Sequence, residues 1–264
     1  MNLSAPIRFR SALRRGFTLT ELLVVIGIIG LVTAIAIPVS SNFGKSNAIT
    51  AAARQLQDDV AFAKARAVNT RSTVYIVFSG PGIGDSVVQG LVPAYLGAAY
   101  TNITTAQFQA YALYSERSLG EQPGIIRPRY LTDWRFLPEG VFIGEVKFRD
   151  FPNQDDRFTE TADLPSRAFG YRFFPVPTSE GPPVRLPYIA FNARGQLVSE
   201  SYSGRFQDVS IPLARGTVDY SIDGGGGYLG TPKQEPFGNS VSNHYRIHIE
   251  WLTGRGRLDK PELR

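Results

Sequence analysis

Glu21 occupies the most demanding position in this chain. It stands one place before Leu22–Val39, eighteen residues without a charge. A carboxylate at the edge of an apolar helix is costly and marks a functional position by default. Two other groups could act on another molecule. Gly254-Arg255-Gly256-Arg257, with Lys260 and Arg264 nearby, sets guanidiniums beside glycines that let the backbone approach closely. Such a patch can hold phosphates, DNA included, without reading a base sequence, although Asp259 and Glu262 interrupt it. His244 and His248 are the only histidines. On a strand they share a polar face with Arg246 and Glu250, as on an edge or outer strand, and their rings lie about 13 Å apart, too far for one metal ion. The acids Asp150, Asp155, Asp156, Glu160 and Asp163 match no calcium-loop spacing. Gly224–Gly227 lacks the Lys-Ser/Thr of a phosphate loop and reads as a flexible turn. With no cysteine there is no thiol nucleophile. The expectation is no catalytic residue, no metal and no cofactor: the chain does not read as an enzyme.

The elements that would position Glu21 are legible. Eighteen residues at about 1.5 Å each span roughly 27 Å, close to the hydrocarbon thickness of a bilayer. Residues 1–16 carry Arg8, Arg10, Arg14 and Arg15 and no acid, a bias that holds the amino terminus in the cytoplasm and sends the bulk of the chain outward. A secretory signal would have a shorter apolar core with a cleavage site after it. Gly27 and Gly30 weaken the helix or permit close helix packing. Pro38 either kinks the helix or ends the membrane segment, and Ser40, Ser41, Asn42 and Gly44 follow as a natural break. Beyond it Ile49, Ala52, Ala53, Leu56, Val60, Ala63 and Ala67 recur at steps of three and four, one apolar helical face, with Ser46 as its N-cap. Asp58, Asp59, Lys64 and Arg66 fall largely elsewhere on that helix.

Thr73–Phe78 is β-branched and aromatic, and stops at Ser79-Gly80-Pro81-Gly82. Further strands are expected at 87–92, 108–114, 141–148, 169–174, 186–192, 196–202, 206–213, 217–222 and 243–252. Long surface loops are expected at 79–104, 150–168 and 223–240. A helix followed by strands indicates an α+β fold with a mainly antiparallel sheet or sandwich. The formal charge of +5 is misleading, because residues 1–16 hold four of the 28 basic residues and none of the 23 acidic ones. The remainder carries 24 against 23, net +1, which does not imply wholesale polyanion binding. An exported domain without cysteine must be held by packing alone.

The composite of a basic leader, Arg14-Arg15-Gly16-Phe17-Thr18-Leu19-Thr20-Glu21 and the apolar run resembles the type IV prepilin signal, shared by type IV pilins and type II secretion pseudopilins. The resemblance implies cleavage between Gly16 and Phe17 by a prepilin peptidase and N-methylation of Phe17. It implies that Glu21 of one subunit neutralises the amine at Phe17 of its neighbour in a filament, and that Pro38 is where the helix bends. The expected organisation is a leader at 1–16, a membrane and assembly helix at 17–43 and a periplasmic pilin-like domain at 44–264.

A narrower resemblance follows from four fragments in order. Ala52–Val68, with Ala65-Arg66-Ala67 near its end, runs into Val74-Tyr75-Ile76-Val77. Leu137-Pro138-Glu139-Gly140-Val141, Ile189-Ala190-Phe191-Asn192-Ala193-Arg194-Gly195 and Arg246–Arg255 with Thr253-Gly254-Arg255 follow. They resemble the GspH/FimT group of minor pseudopilins, although this chain is longer, with apparent insertions at 79–104 and 150–168. The resemblance implies a structural subunit of a type II secretion pseudopilus, anchored in the inner membrane by a single helix and later part of a periplasm-spanning filament. Its partners would be a prepilin peptidase, other pseudopilins and secreted cargo. The alternatives are a minor type IV pilin acting in pilus assembly, adhesion or DNA uptake, with Arg255 and Arg257 as DNA contacts, and a signal-anchored periplasmic protein of another kind.

Overall fold

The seven apolar positions at helical spacing do form one buried face. In α1 (Leu19–Thr70), Ile49, Ala52, Ala53, Leu56, Val60, Ala63 and Ala67 are each at most 2% exposed. Four of the seven are alanines, whose short side chains let the helix lie close to what it covers. The computed structural model describes residues 18–117, 127–148, 169–198, 208–222, 224, 228–239 and 244–259, and at 34–46, 86 and 229–231 the backbone alone. The chain divides into two compact units, Met1–Gly44 and Lys45–Arg264. The break expected at 40–44, with Ser46 as a cap, is absent: the backbone is helical through Pro38 and Gly44. Serine and asparagine inside a helix cost only a few tenths of a kcal/mol each and glycine about 1, less than leaving two helix ends unsatisfied. The helix stops after Thr70, where Arg71 turns left-handed (φ 49°) and the amides of Ser72 and Arg71 bond back to Ala67 and Val68. This is a Schellman ending made without glycine.

Thirteen strands follow among the described residues. One sheet has the order β3 (Arg129–Tyr130), β2 (Ala110–Ser115), β1 (Val74–Phe78), β7 (Pro183–Phe191), β6 (Gly170–Pro175), with β4 (Arg135–Phe136) on β2 and β8 (Leu197–Val198) on β7. A second has the order β13 (Gly256–Asp259), β12 (His244–Ile249), β9 (Val209–Arg215), β5 (Val141–Ile143). β10 (Thr217–Ile222) and β11 (Tyr228–Glu235) pair with each other. Every pairing is antiparallel. The architecture is α+β, as expected.

Side chains alternate across a strand, and here both faces of β1 are buried. Val74, Ile76 and Phe78 join α1 and the inner residues of the second sheet, such as Ile211, Leu213, Ile247 and Ile249, in one core. Tyr75 and Val77 enter a second cluster with Ile83, Tyr100, Ile103, Phe174 and Tyr188. Burying such a side chain fully is worth about 1.5–3 kcal/mol. The cover of that second face is the segment expected to be a surface loop. Residues 87–91 are not a strand but belong to α2 (Ser86–Leu91), with Val92 as its extended C-cap, because Asp85 caps the helix start, its Oδ1 accepting from the Val87 amide at 2.8 Å. A 3₁₀ turn (Ala94–Leu96) and α3 (Gly97–Thr104) complete the cover.

Two other expectations are corrected. The loop at 223–240 contains β11, whose Tyr228 amide bonds to Gly84 O at 2.9 Å and so ties the hairpin to the segment 79–104. The strand at 141–148 ends at Ile143 and continues as a 3₁₀ turn, Glu145–Phe148. Lys147 on that turn is fully buried, its ammonium 5.1 Å from the centre of the Phe169 ring. Burial pulls its pKa from 10.5 down to about 7. Between those two values the unfolded chain binds more protons than the folded one, so stability should rise with pH from about 7 to 10.5. Urea midpoints measured across that range should show the rise, and Lys147→Met should flatten it while raising the midpoint at pH 7. An unchanged slope in the variant would assign the pH dependence to other groups.

Candidate functional site

Thr18 and Glu21 form a closed pair at the start of α1. The Glu21 amide donates to Thr18 Oγ1 at 3.3 Å, and Glu21 Oε2 accepts from the Thr18 amide at 2.9 Å and from Thr18 Oγ1 at 2.8 Å. This is a capping box, in which N-cap and third-residue side chains satisfy each other's orphan amides. The spacing Thr-x-x-Glu carried that signal in the sequence. The helix that follows is apolar on all sides. Ten large side chains from Leu19 to Val32 are each at least 45% exposed. Such a surface is covered by lipid or by other helices in a working protein. Among the residues whose side chains are described, which in this run end at Thr33, no helical stretch is long and apolar enough to cross a membrane. Gly16 and Phe17 lie outside the described residues, and Pro38 lies within α1.

The carboxyl-terminal basic element is a hairpin rather than a loose tail. Arg257 sits in β13, paired opposite His248 of β12, and its Nε bonds Asp259 Oδ1 at 3.1 Å. Arg255 is exposed in the turn before β13. Gly254 in that turn has φ +60°, and a Cβ there would lie 2.1 Å from the Gly195 carbonyl oxygen, so only glycine fits. Gly256 packs on Val60 of α1, and its carbonyl accepts from Gln57 Nε2 at 3.3 Å. Lys260, Glu262 and Arg264 lie outside the described residues, as do the acids at 150–163.

The strand carrying the histidines is neither an edge nor an outer one: β9 and β13 flank β12. His244 is buried, while His248 bonds Ser210 Oγ at 3.3 Å and Asp208 at 3.2 Å. Among the described residues no three His, Asp or Glu side chains converge as a metal site.

The capped, all-round apolar helix start has a counterpart among known families. The prokaryotic N-terminal methylation motif matches residues 12–37. The amino-terminal segment is type IV prepilin-like. The motif implies peptidase processing, assembly with like subunits and an inner-membrane anchor at the amino terminus. Among solved structures, the chain is similar to the type IV minor pilin FimU of Pseudomonas aeruginosa, with 11% identity, coverage of 83% of this chain and 92% of that one, and a TM-score of 0.33. No curated protein matches.

The helical spacing set Asp59 apart from the apolar face of α1, and there the structure differs. Asp59 is 3% exposed, accepts the Tyr111 hydroxyl at 2.6 Å and is bridged by Arg135 from β4. Gln55 donates to the Tyr111 hydroxyl at 3.1 Å and to Phe136 O at 3.2 Å. Burial first, and the Asp59 bond second, hold the Tyr111 pKa far above its ordinary value, so the hydroxyl stays a donor. The network fastens α1 to β2 and β4. Its signal was the step: Asp59 lies three residues after Leu56 and four before Ala63.

Proposed function

We propose that this chain is a minor pseudopilin of the GspH/FimT type, a structural subunit of a type II secretion pseudopilus. The observation that supports it most is the methylation motif at 12–37, together with an exposed apolar helix that needs neighbours. In this reading a prepilin peptidase cuts between Gly16 and Phe17, Phe17 is N-methylated, and residues 17–43 hold the subunit in the inner membrane. The domain from residue 44 onward then stands in the periplasm. On assembly Glu21 pairs with the amine at Phe17 of the adjacent subunit, and the helix bends at Pro38. The filament acts mechanically on exported cargo, with no cofactor.

The test is the mass and amino-terminal sequence of the membrane-extracted protein, with and without the prepilin peptidase. A peptidase-dependent start at Phe17, heavier by one methyl group, is expected. An intact leader, or a cut near Ser40, sinks the proposal. Deleting the gene should lower exoprotein release while surface pili persist.

The exposed Arg255 supports a second reading, a minor type IV pilin that touches DNA during uptake. With Arg257 tied to Asp259, Arg255 is the better contact. A gel shift at low salt that Arg255→Ala weakens would favour it, and no shift at low salt removes it.

A further inference from the structure

Two guanidiniums with no acidic partner among the described residues meet at one cleft of the folded unit. Arg66, on the outer side of α1, and Arg129, at the start of β3, line a cleft of about 370 Å³ together with Phe62, Tyr130 and Leu131. Neither arginine bonds a carboxylate among the described residues, whereas Arg135, Arg172 and Arg257 each do. Phe62 is 48% exposed, an apolar ring left uncovered beside two charges. Tyr130 is fixed rather than mobile, its hydroxyl donating to Pro175 O at 2.7 Å and its ring packed edge-on against Tyr114 at 5.2 Å. The cleft continues past Tyr130 and Leu131 into a second hollow of about 480 Å³ lined by Thr132, Asp133 and Arg135.

We propose that this cleft is a docking site for an acidic side chain on a partner polypeptide, with an apolar residue beside it resting on Phe62 and Leu131. A guanidinium is a planar fork of donors that matches a carboxylate in two parallel hydrogen bonds. Two of them lining a cleft with Phe62, Tyr130 and Leu131 favour a carboxylate whose neighbours are apolar. A nucleic-acid strand fits less well. Asp133 stands in the adjoining hollow, so a row of phosphates continuing into it would meet an acid. The site is independent of the filament reading, because every residue in it belongs to the unit Lys45–Arg264.

The test uses the full chain in non-ionic detergent and two dye-labelled peptide amides, Leu-Glu-Phe and its neutral isostere Leu-Gln-Phe, read by fluorescence anisotropy. The acidic peptide should bind about tenfold more tightly than the neutral one, and Arg66→Gln or Arg129→Gln should remove that difference. Phe62→Ser should weaken both peptides alike. Near-ultraviolet circular dichroism checks that the variants keep their fold, which these surface positions should allow. Equal binding of the two peptides, no binding of either, or binding unchanged in both arginine variants overturns the proposal. Displacement of the acidic peptide by a short oligothymidylate, lost in the same variants, overturns it in favour of a phosphate ligand.

Discussion

Replacing Arg135 by alanine should destabilise the folded unit by about 3 kcal/mol, far more than an exposed arginine ordinarily costs, because it strands a buried carboxylate. The Arg135 side chain is 42% exposed, but that of Asp59 is only 4% exposed. Asp59 keeps the Tyr111 hydroxyl as a donor, and one neutral donor does not replace a guanidinium. The register explains the arrangement: Arg135 lies directly opposite Tyr111 across the β2–β4 pair, and both reach the same turn of α1. The reverse change is milder. Asp59→Asn leaves no stranded charge, since the arginine can turn to water, and should cost about 1–2 kcal/mol through a weaker bond to Tyr111. The two changes should therefore be strongly non-additive. Asp59→Asn placed on top of Arg135→Ala should restore stability rather than lower it further. Urea unfolding of residues 45–264 measures all three variants. A cost below about 1 kcal/mol for Arg135→Ala, or an additive double variant, would mean that Asp59 is already satisfied without the arginine.

The same residues show where the sequence could and could not be read. The apolar face of α1 was legible because its period is set by apolar side chains, and each of those is buried. Asp59 has the same period, but its charge argued for solvent, and the partner that makes its burial tolerable lies 76 residues away. That pairing is a tertiary fact. β10 (Thr217–Ile222) was legible to the residue because β-branched and aromatic side chains lie between turn signals. β3, β4 and β8 are two-residue strands, below the length at which a period can exist. In β11, Gly230 and Pro232 read as a loop, and they do fall in an irregularity of the ladder to β10, between the Asp219–Lys233 and Ser221–Leu229 pairs, while the strand runs on through them.

The segment 79–104 teaches the opposite lesson. Its composition suggested a surface loop, yet Ile83, Leu96, Tyr100 and Ile103 are at most 8% exposed. The clue was already in β1. Tyr75 and Val77 are as apolar as their neighbours, so Thr73–Phe78 shows no alternation, and a strand apolar on both faces needs two covers. α1 supplies one, and the segment that follows β1 supplies the other through Ile83, Tyr100 and Ile103. At the amino terminus, by contrast, the motif was legible while its local chemistry was not. The Thr18–Glu21 box gives Glu21 a role inside its own chain, so exposure to a neighbour is no longer needed to explain an acid at that place.

Those two roles separate under substitution. If Glu21 serves assembly by neutralising the amine at Phe17 of a neighbour, its charge is what matters, and Glu21→Gln and Glu21→Ala should both lose nearly all incorporation into filaments. Glutamine at the third helical position still accepts from the Thr18 amide, so Glu21→Gln keeps the capping box while removing the charge. Thr18→Ala does the reverse: it removes the capping hydroxyl, at a cost of about 1 kcal/mol at the helix end, and leaves the carboxylate in place. It should incorporate close to normally, because a helix end held by its neighbours in a filament tolerates a loss of that size. The readout is the share of processed subunit that sediments with filaments, with cleavage at Gly16 checked in each variant so that a processing defect is not mistaken for an assembly defect. Normal incorporation of Glu21→Gln alongside failure of Glu21→Ala and Thr18→Ala would assign Glu21 to the cap alone. The amine of the neighbour would then need another partner. Residues 17–57 contain no other acid, so that partner would have to come from a different subunit type.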